Sequence, residues 1–228
     1  MNTLPTMLPE TTTAGGFLLV LMLILPFVGV LAALTLGGRH ARRVAMLAIP
    51  LGLVLSLAIV VEAVQTGRAL VYLLGGWAPP LGIVLRADGL SAVMLLTTAV
   101  ILLAVALFAH ADFDTPPGIR EARRPFMFWT LLLAMWGALN AVFLAGDLFT
   151  LYVALELLGF AGVPLVCLDE RAETLQAALR YLLFALLGSV LYMLGAVLLY
   201  GAYGTLDIAL LAGLVRPEPA AFAAAALM

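Results

Sequence analysis

The sequence contains no lysine, so all 11 of its basic residues are arginines. The Gly-rich phosphate-binding loop of nucleotide hydrolases needs a lysine that contacts the phosphates, which excludes that loop from these residues. There is also one cysteine only, Cys167. A single cysteine excludes an internal disulfide and any metal or iron–sulfur site built from several cysteines within the chain. We expect Cys167 to be a structural thiol, and we expect neither a metal nor another cofactor in this chain.

Charge is also scarce, since only 11% of the residues are charged whereas 65% are hydrophobic and the mean hydropathy is +1.18. Apolar runs of roughly 20 residues, the length that crosses a bilayer as a helix, recur along the chain. The sequence therefore predicts an all-α integral membrane protein. Little sequence remains between the runs, so a separate soluble domain of the usual size of about 100 residues is excluded.

The apolar runs predict six complete transmembrane helices and the start of a seventh. The predicted spans are residues 16–36, 44–64, 89–109, 126–145, 148–168 and 174–201. Residues 202–219 are expected outside the membrane, and the last nine residues, 220–228, to begin a helix in which the chain stops. The first fifteen residues carry no arginine, unlike the basic start of a cleavable signal peptide, and we expect them to form a short exposed tail.

The arginines between the spans predict the orientation of the chain. Seven fall on one side of the predicted bundle, namely Arg39, Arg42, Arg43, Arg120, Arg123, Arg124 and Arg171. Three fall on the other side, namely Arg68, Arg86 and Arg216. Short loops rich in arginine stay in the cytoplasm, so the N-terminus is expected outside. The predicted location is the bacterial plasma membrane, as a multi-pass protein.

One predicted loop, residues 65–88, is longer than the others. It carries Gly and Pro turn signals at residues 73–80, followed by the β-branched residues Ile83 and Val84. This pattern predicts a small hairpin on the outer side. We divide the chain into an N-terminal three-helix region, 1–125, that includes this loop, and a second helical region, 126–228, whose last helix is truncated. The resemblance described below implies that this second region is the start of a first proton-conducting helix repeat.

Glu156 is the single charged residue between positions 148 and 168. It lies nine residues after Asp147, or about 13 Å into the membrane at the helical rise. A charged side chain at such a depth costs about 3 kcal/mol, and intramembrane carboxylates of this kind often carry protons or ions. At helical spacing it has Tyr152 on one side and Gly159 on the other. The alternative is a static hydrogen bond that holds two helices together.

Three other polar features of the predicted spans have two interpretations each. Arg180 either extends its side chain to the cytoplasmic headgroups or points inward as a fixed positive charge near Glu156. For Asn140, an interhelical hydrogen bond is favoured over a role in transport. His40 and His110 lie at the ends of spans, and ordinary interfacial histidines are favoured over a pair of haem ligands.

Three stretches of the chain resemble the D-type subunits of Mrp cation/proton antiporters. They are residues 75–83 together with 86–95, which contain Gly-Gly-Trp-Ala-Pro-Pro and Ala-Asp-Gly-Leu-Ser, residues 140–158, which contain Gly-Asp-Leu-Phe before Glu156, and residues 179–206, which begin Leu-Arg-Tyr. The third stretch is also similar to antiporter-like subunits of respiratory complex I and of membrane-bound hydrogenases. The resemblance extends from about residue 75 to residue 211.

The resemblance implies a larger proton-conducting subunit built from two inverted helix repeats. In that family, the glutamate of the fifth helix works with a lysine on a broken seventh helix, and Glu156 matches the glutamate. Arg180 stands where many members have a lysine, and an arginine there keeps the charge but does not release a proton. No lysine of the seventh helix has a position in these residues, so we expect either an N-terminal fragment or a partner chain that supplies the rest.

We predict a membrane subunit of a multi-subunit cation/proton antiporter or of a complex I-like redox-driven proton pump, such as an NADH-quinone oxidoreductase or a hydrogenase-type complex. Glu156 is the predicted proton carrier and Arg180 the charge that modulates it. The expected partners are other membrane subunits, the lipid bilayer, and protons with or without Na⁺ or K⁺, and not nucleic acid. No complete active site is expected in this chain. A structural membrane anchor without an ion path and a redox anchor that holds haem or quinone are the two alternatives.

Overall fold

A computed structural model describes residues 12–77, 82–113 and 122–228. In this part of the chain, six helices are long and apolar enough to cross a membrane, as the sequence predicts. They are α1 (Phe17–Leu36), α2 (Gly38–Thr66), α3 (Gly89–Asp112), α4 (Arg123–Leu144), α5 (Leu148–Val166) and α6 (Ala172–Tyr203). Two shorter helices follow them, α7 (Ile208–Leu214) and α8 (Pro219–Leu227). The all-α membrane class is confirmed.

The start of α2 differs from the prediction. The helix begins at Gly38, whereas the predicted span begins at residue 44, so Arg42 and Arg43 belong to the helix and not to a loop. Gly37 makes the turn from α1 with a φ of 86°, a backbone conformation that glycine adopts without a steric penalty. Hydropathy marks where a helix leaves the apolar layer, but backbone hydrogen bonding continues past that point.

The short helix α7 was also not predicted. Its seven residues lie in the stretch 202–219, which we expected outside the membrane and to which we assigned no helix. The side chain of Asp207 caps the helix by accepting a hydrogen bond from the backbone N–H of Leu210 at 2.9 Å. A run of seven apolar residues is too short to span a membrane, so a search for spans passes over it. The helix α8 coincides with the predicted start of a seventh helix.

The predicted hairpin is present. The strands β1 (Leu70–Leu73) and β2 (Val84–Ala87) pair antiparallel, with Leu70 opposite Ala87 and Leu73 opposite Val84. The predicted turn residues 78–81 lie outside the described residues, as does Arg120. We call the surface of the bundle that carries these strands the hairpin side. The structure does not test which side of the membrane it faces, so the orientation of the N-terminus stays a prediction.

The described end of the N-terminal tail is hydrogen-bonded to β1, while Thr12 and Ala14 are exposed, as expected of the tail. The backbone N–H of Thr13 donates to the carbonyl of Val71 at 2.9 Å, and the backbone N–H of Val71 donates to the Thr13 hydroxyl at 3.1 Å. A tail without apolar periodicity gives no signal of this pairing in the sequence, because the partner strand is 58 residues away. Residues 12–13 are therefore held against β1.

The core lies where α4 packs against α1 and α2. The indole rings of Trp129 and Trp136 are fully buried there, and Trp136 lies directly over Gly52 of α2, where a β-carbon would collide with the ring. Close packing of a large ring on a glycine is typical of helix pairs in membranes. The proposed division of the chain near residue 125 stays a prediction, and α4 packs on both helices that precede it.

A proline in α1 explains why an amide side chain of α4 makes a hydrogen bond inside this core. Pro26 in α1 has no N–H, so the carbonyl of Met22, four residues earlier, lacks its usual helical donor. The side-chain Nδ2 of the fully buried Asn140 in α4 donates to this carbonyl at 2.9 Å. The favoured interpretation of Asn140 as an interhelical hydrogen bond is therefore confirmed. The helix break in α1 and the amide in α4 compensate each other.

Candidate functional site

Glu156 lies in the third turn of α5. The helix begins after Asp147, whose carboxylate accepts hydrogen bonds from the backbone N–H of Thr150 at 2.7 Å and from the Thr150 hydroxyl at 2.6 Å. Such a cap fixes where the helix starts, and at 1.5 Å per residue it puts the backbone of Glu156 about 13 Å further along the axis. The cap therefore determines the depth of the carboxyl group.

The direction of Glu156 follows from the residues that α5 buries. Ala154 and Ala161 are the two buried residues of this helix, and small side chains of this kind allow close packing with α4. At about 100° per residue, Glu156 lies about 160° around the helix from Ala154 and about 140° from Ala161. Its side chain is partly buried. Glu156 thus faces away from the packed seam of its own bundle.

The same face of α5 carries Tyr152, one turn before Glu156, and Gly159, just under one turn after it. A β-carbon on Gly159 would meet no atom within 4 Å outside its own helix, so this part of the face is open. Among the described residues, Glu156 has no hydrogen bond or ion pair. The carboxyl group therefore lies on an open face and is neither paired nor enclosed by aliphatic neighbours.

A second tyrosine comes from α6 and was not singled out in the sequence. The hydroxyl of Tyr192 donates to the carbonyl of Leu148, the first residue of α5, at 3.2 Å. Its ring stacks on Tyr152, with 6.2 Å between the ring centroids and 15° between the planes. The signal that could have found it is a tyrosine in the middle of an apolar span, since a buried hydroxyl needs a partner. Sequence does not identify that partner.

The start of α5 is tied to the start of α7 on the hairpin side. Asp147 and Asp207 face each other in an isolated antiparallel bridge, with hydrogen bonds of 3.0 Å from Leu148 N–H to the Leu206 carbonyl and from Ile208 N–H to the Gly146 carbonyl. Each aspartate also caps the helix that follows it. The site therefore has a buried carboxylate, Asp207, and a partly buried one, Asp147, at the starts of these two helices, and a third, Glu156, further along α5.

Arg180 does not meet Glu156. Its side chain is exposed on α6, and no ion pair joins it to Glu156 in the part of the chain that the structure describes. The predicted role of Arg180 as a charge that modulates Glu156 is not tested by this geometry and stays a prediction. Arg180 lies on α6, the helix that also carries Tyr192.

Metal-binding side chains do not form a cluster among the described residues. His40 Nδ1 lies 3.1 Å from the carbonyl of Leu36 in the preceding helix, which is a local contact at the end of a span. Within residues 12–77, 82–113 and 122–228, no three side chains of His, Cys, Asp or Glu lie close enough together to hold a metal ion. The arrangement around Glu156 is instead one carboxyl group with hydroxyl groups above it, a set that can bind or pass a proton.

Comparison with known proteins gives concordant results for sequence and for structure. Residues 145–228 match the family described as the transmembrane part of NADH:quinone oxidoreductase and Mrp antiporters. The D-type subunit of the Na⁺/H⁺ antiporter of Bacillus subtilis is 35% identical over 159 residues, which are 70% of this chain and 31% of the relative. The chain thus spans about a third of the length of that relative.

Solved structures share the fold. A chain of the Mrp complex from Dietzia superimposes with a TM-score of 0.78 at 26% identity, over 95% of this chain and 40% of that one. A chain of respiratory complex I from Thermus thermophilus superimposes with a TM-score of 0.75 at 24% identity, over 92% of this chain and 42% of that one. The first part of this chain, α1–α4, is included in both superpositions, since they cover nearly all of it.

These similarities agree with the six apolar helices of the fold. They also place the chain in a bacterial plasma membrane as a multi-pass protein. Relatives of this chain are subunits of larger membrane complexes. The chain is therefore a homologue of the D-type subunits of Mrp cation/proton antiporters, and its residues 145–228 match the NADH:quinone oxidoreductase/Mrp antiporter family.

Proposed function

We propose that this chain is a proton-conducting membrane subunit of a multi-subunit cation/proton antiporter or of a complex I-like pump, and that Glu156 is the residue that carries the proton. The observation that supports this most directly is the position of Glu156. It lies about 13 Å along α5 from Asp147, on the face opposite the buried alanines, without a paired cation in the described residues. A carboxylate kept at such a depth without a structural partner favours transport.

The open face around Glu156 supports the same proposal. A carboxyl group that served only to join two helices would be enclosed by them and hydrogen-bonded, because an unpaired polar group in the membrane costs free energy. Glu156 instead has Gly159 beside it with free space where a side chain would be. Water or further helices of the assembly can reach the carboxyl from this direction, and either would complete a path for protons.

Arg180 is proposed to set the affinity of this site for protons and not to carry them. An arginine side chain stays protonated in proteins, so it does not exchange a proton during transport. A fixed positive charge on the neighbouring helix still favours the ionised form of a nearby carboxyl group. The cation exchanged for the proton, Na⁺ or K⁺, would then be selected elsewhere in the assembly.

The test is proton flux through the complete assembled complex in everted membrane vesicles, followed by the fluorescence of a pH-sensitive dye. Glu156→Gln removes the charge and the proton site with little change in shape, and it is expected to reduce the flux to background. Glu173→Gln is the matched control, because Glu173 is an exposed residue in the first turn of α6. It is expected to leave the flux unchanged.

The same experiment tests the role of Arg180 and the main alternative. Arg180→Lys should retain transport, whereas Arg180→Gln should shift the pH at which transport is half-maximal. A structural anchor without an ion path would give a different result: the complex with Glu156→Gln would assemble normally and keep its full proton flux. That outcome would refute conduction through Glu156.

A further inference from the structure

A line of polar groups leads from Glu156 to the hairpin side. Tyr152 lies one helical turn before Glu156 on α5, and the ring of Tyr192 from α6 stacks on it. The Tyr192 hydroxyl reaches the carbonyl of Leu148 at 3.2 Å, and Leu148 directly follows Asp147. The two tyrosines thus lie within the distance of about 13 Å along the helix that separates Glu156 from Asp147.

The direction of the side chains in α5 favours this line. Side chains of an α-helix tilt towards its N-terminus, so each covers the turn that precedes its own Cα atom. Because α5 starts at the hairpin side, Glu156 leans towards Tyr152, and Tyr152 leans towards Leu148. This tilt places the carboxyl group of Glu156 on the Tyr152 side of its own Cα atom.

The hydrogen bond of Tyr192 is not required by the backbone. The carbonyl of Leu148 already has a helical donor, the N–H of Tyr152 four residues later, and it accepts the tyrosine hydroxyl with its second lone pair. A hydroxyl that donates one hydrogen bond still has lone pairs to accept another. The Tyr192 oxygen can therefore accept a proton from one water while its own proton, after the hydroxyl rotates away from the Leu148 carbonyl, passes to a second water.

We infer that Tyr192 and Tyr152, with water between the polar groups, form a route for protons between Glu156 and Asp147 on the hairpin side. This inference rests on the proposed function of Glu156. In each transfer, a hydroxyl oxygen forms a bond to an incoming proton and its original O–H bond breaks, so the tyrosine is unchanged at the end. Tyr192 is a positioning residue in this route, since it fixes the hydroxyl beside the first turn of α5.

The test uses variants of Tyr192 that separate this role from a purely structural tie between α5 and α6. Tyr192→Phe keeps the ring and removes the hydroxyl. In the complete complex, its initial proton flux is expected to fall about tenfold, which corresponds to about 1.4 kcal/mol in the barrier. Tyr200→Phe is the matched control, since Tyr200 is an exposed tyrosine two turns further along the same helix. It is expected to keep the wild-type flux.

Two further variants distinguish a relay from a tie. Tyr192→Trp keeps an aromatic ring with an N–H donor but has no lone pair to accept a proton, whereas Tyr192→His has both a donor and an acceptor. A relay predicts that the histidine variant transports faster than the tryptophan and phenylalanine variants, and that the tryptophan variant is as slow as phenylalanine. A tie predicts that tryptophan preserves the flux.

The outcomes separate this inference from the proposal on which it rests. If Glu156→Gln abolishes the flux but Tyr192→Phe transports like the wild type in an assembled complex, the route is wrong and the role of Glu156 stands. If Glu156→Gln leaves the flux intact, both fail. If Tyr192→Phe prevents assembly, Tyr152→Phe in the assembled complex takes its place, with the same tenfold loss expected and an unchanged flux overturning the route.

Discussion

The two parts of this bundle are packed very differently. In the apolar stretch of α4, 56% of the residues are buried, whereas the corresponding shares are 17% in α5 and 11% in α6. The first part, α1–α4, contains large buried side chains such as Trp129 and Trp136. The second part, α5–α6, buries only the small residues Ala154, Ala161, Gly195 and Ala196. Glu156 and Arg180 both belong to the loosely covered part.

This difference suggests a division of labour within one chain. A tightly packed core gains dispersion energy and holds its helices in one arrangement. A polar group inside such a core is held in one position by its hydrogen bond, as Asn140 is through its Nδ2 atom, while its buried Oδ1 atom has no partner among the described residues. A group that gains and loses protons cannot be fixed in this way. Glu156, the proposed proton carrier, lies on one of the two helices that the rest of this chain covers least.

The largest expected effect is on the stability of the packed part. Trp136→Ala removes a fully buried ring that lies on Gly52, so it is expected to lower the free energy of unfolding by about 3–5 kcal/mol. The matched variant in the open part is Phe160→Ala, because 67% of Phe160 is exposed on α5. It is expected to change stability by about 0.5 kcal/mol or less. Thermal unfolding in detergent, followed by circular dichroism, measures both.

Equal destabilisation by Trp136→Ala and Phe160→Ala would contradict the contrast between the two parts. It would mean that the face of α5 that carries Phe160 is packed in the isolated chain. A loss of stability in Trp136→Ala but not in Phe160→Ala would support the contrast between the two parts.

The next largest effect concerns the compensation between Pro26 and Asn140. Asn140→Leu leaves the buried carbonyl of Met22 without a donor, and it is expected to cost about 1–3 kcal/mol. In a Pro26→Ala background, residue 26 has an N–H for that carbonyl, so the same change at Asn140 should cost clearly less. The measurement is a double-mutant cycle on unfolding in detergent. Additive effects would show that the amide and the proline are independent.

The smallest expected effect lies at the hairpin side. The backbone N–H of Ser91 donates to the carboxylate of Asp88, the cap of α3, at 2.8 Å, and this hydrogen bond lowers the pKa of Asp88. A carboxyl group with a lowered pKa stabilises the fold above its unfolded pKa, and the contribution is lost as the pH falls through the folded pKa. The cap thus makes stability fall in acid.

Asp88→Asn tests this, because asparagine caps helices about as well as aspartate but does not titrate. Stability near neutral pH is expected to stay within about 0.5 kcal/mol of the wild type. The loss of stability on acidification should be smaller than in the wild type, as measured by unfolding temperature between about pH 6 and pH 3. An unchanged acid dependence would exclude Asp88 as a contributor.

Much of the fold could be predicted from the sequence because the bilayer leaves few alternatives. The six helices follow from apolar runs, and the hairpin follows from Gly and Pro signals before a β-branched pair. The start of α2 and the helix α7 were missed, because both depend on hydrogen bonds that continue or begin where hydropathy is no longer informative. Helix ends need caps and turns, and these are local features that a search for spans does not weigh.

The candidate site was predictable in part. Glu156 stands out because no other charge lies near it in its span, and Asn140 because it is an amide in an apolar run. Tyr192 was missed, although a tyrosine in an apolar helix is visible in the sequence. Its relevance comes from the carbonyl of Leu148, 44 residues away, and no local pattern indicates that contact.

The sequence by itself determined that this chain lies in a membrane, how many apolar helices it forms there, and that one of them carries a lone carboxylate, Glu156. Those features depend on the free energy of placing charged groups and unpaired backbone groups in hydrocarbon. This free energy is set by each segment of the chain separately. Only the tertiary structure decided which face of α5 is open, that Asn140 completes the helix broken by Pro26, and that Tyr192 lies above Glu156. Those features depend on how helices distant in sequence rotate and pack against each other, and packing is a property of pairs of helices.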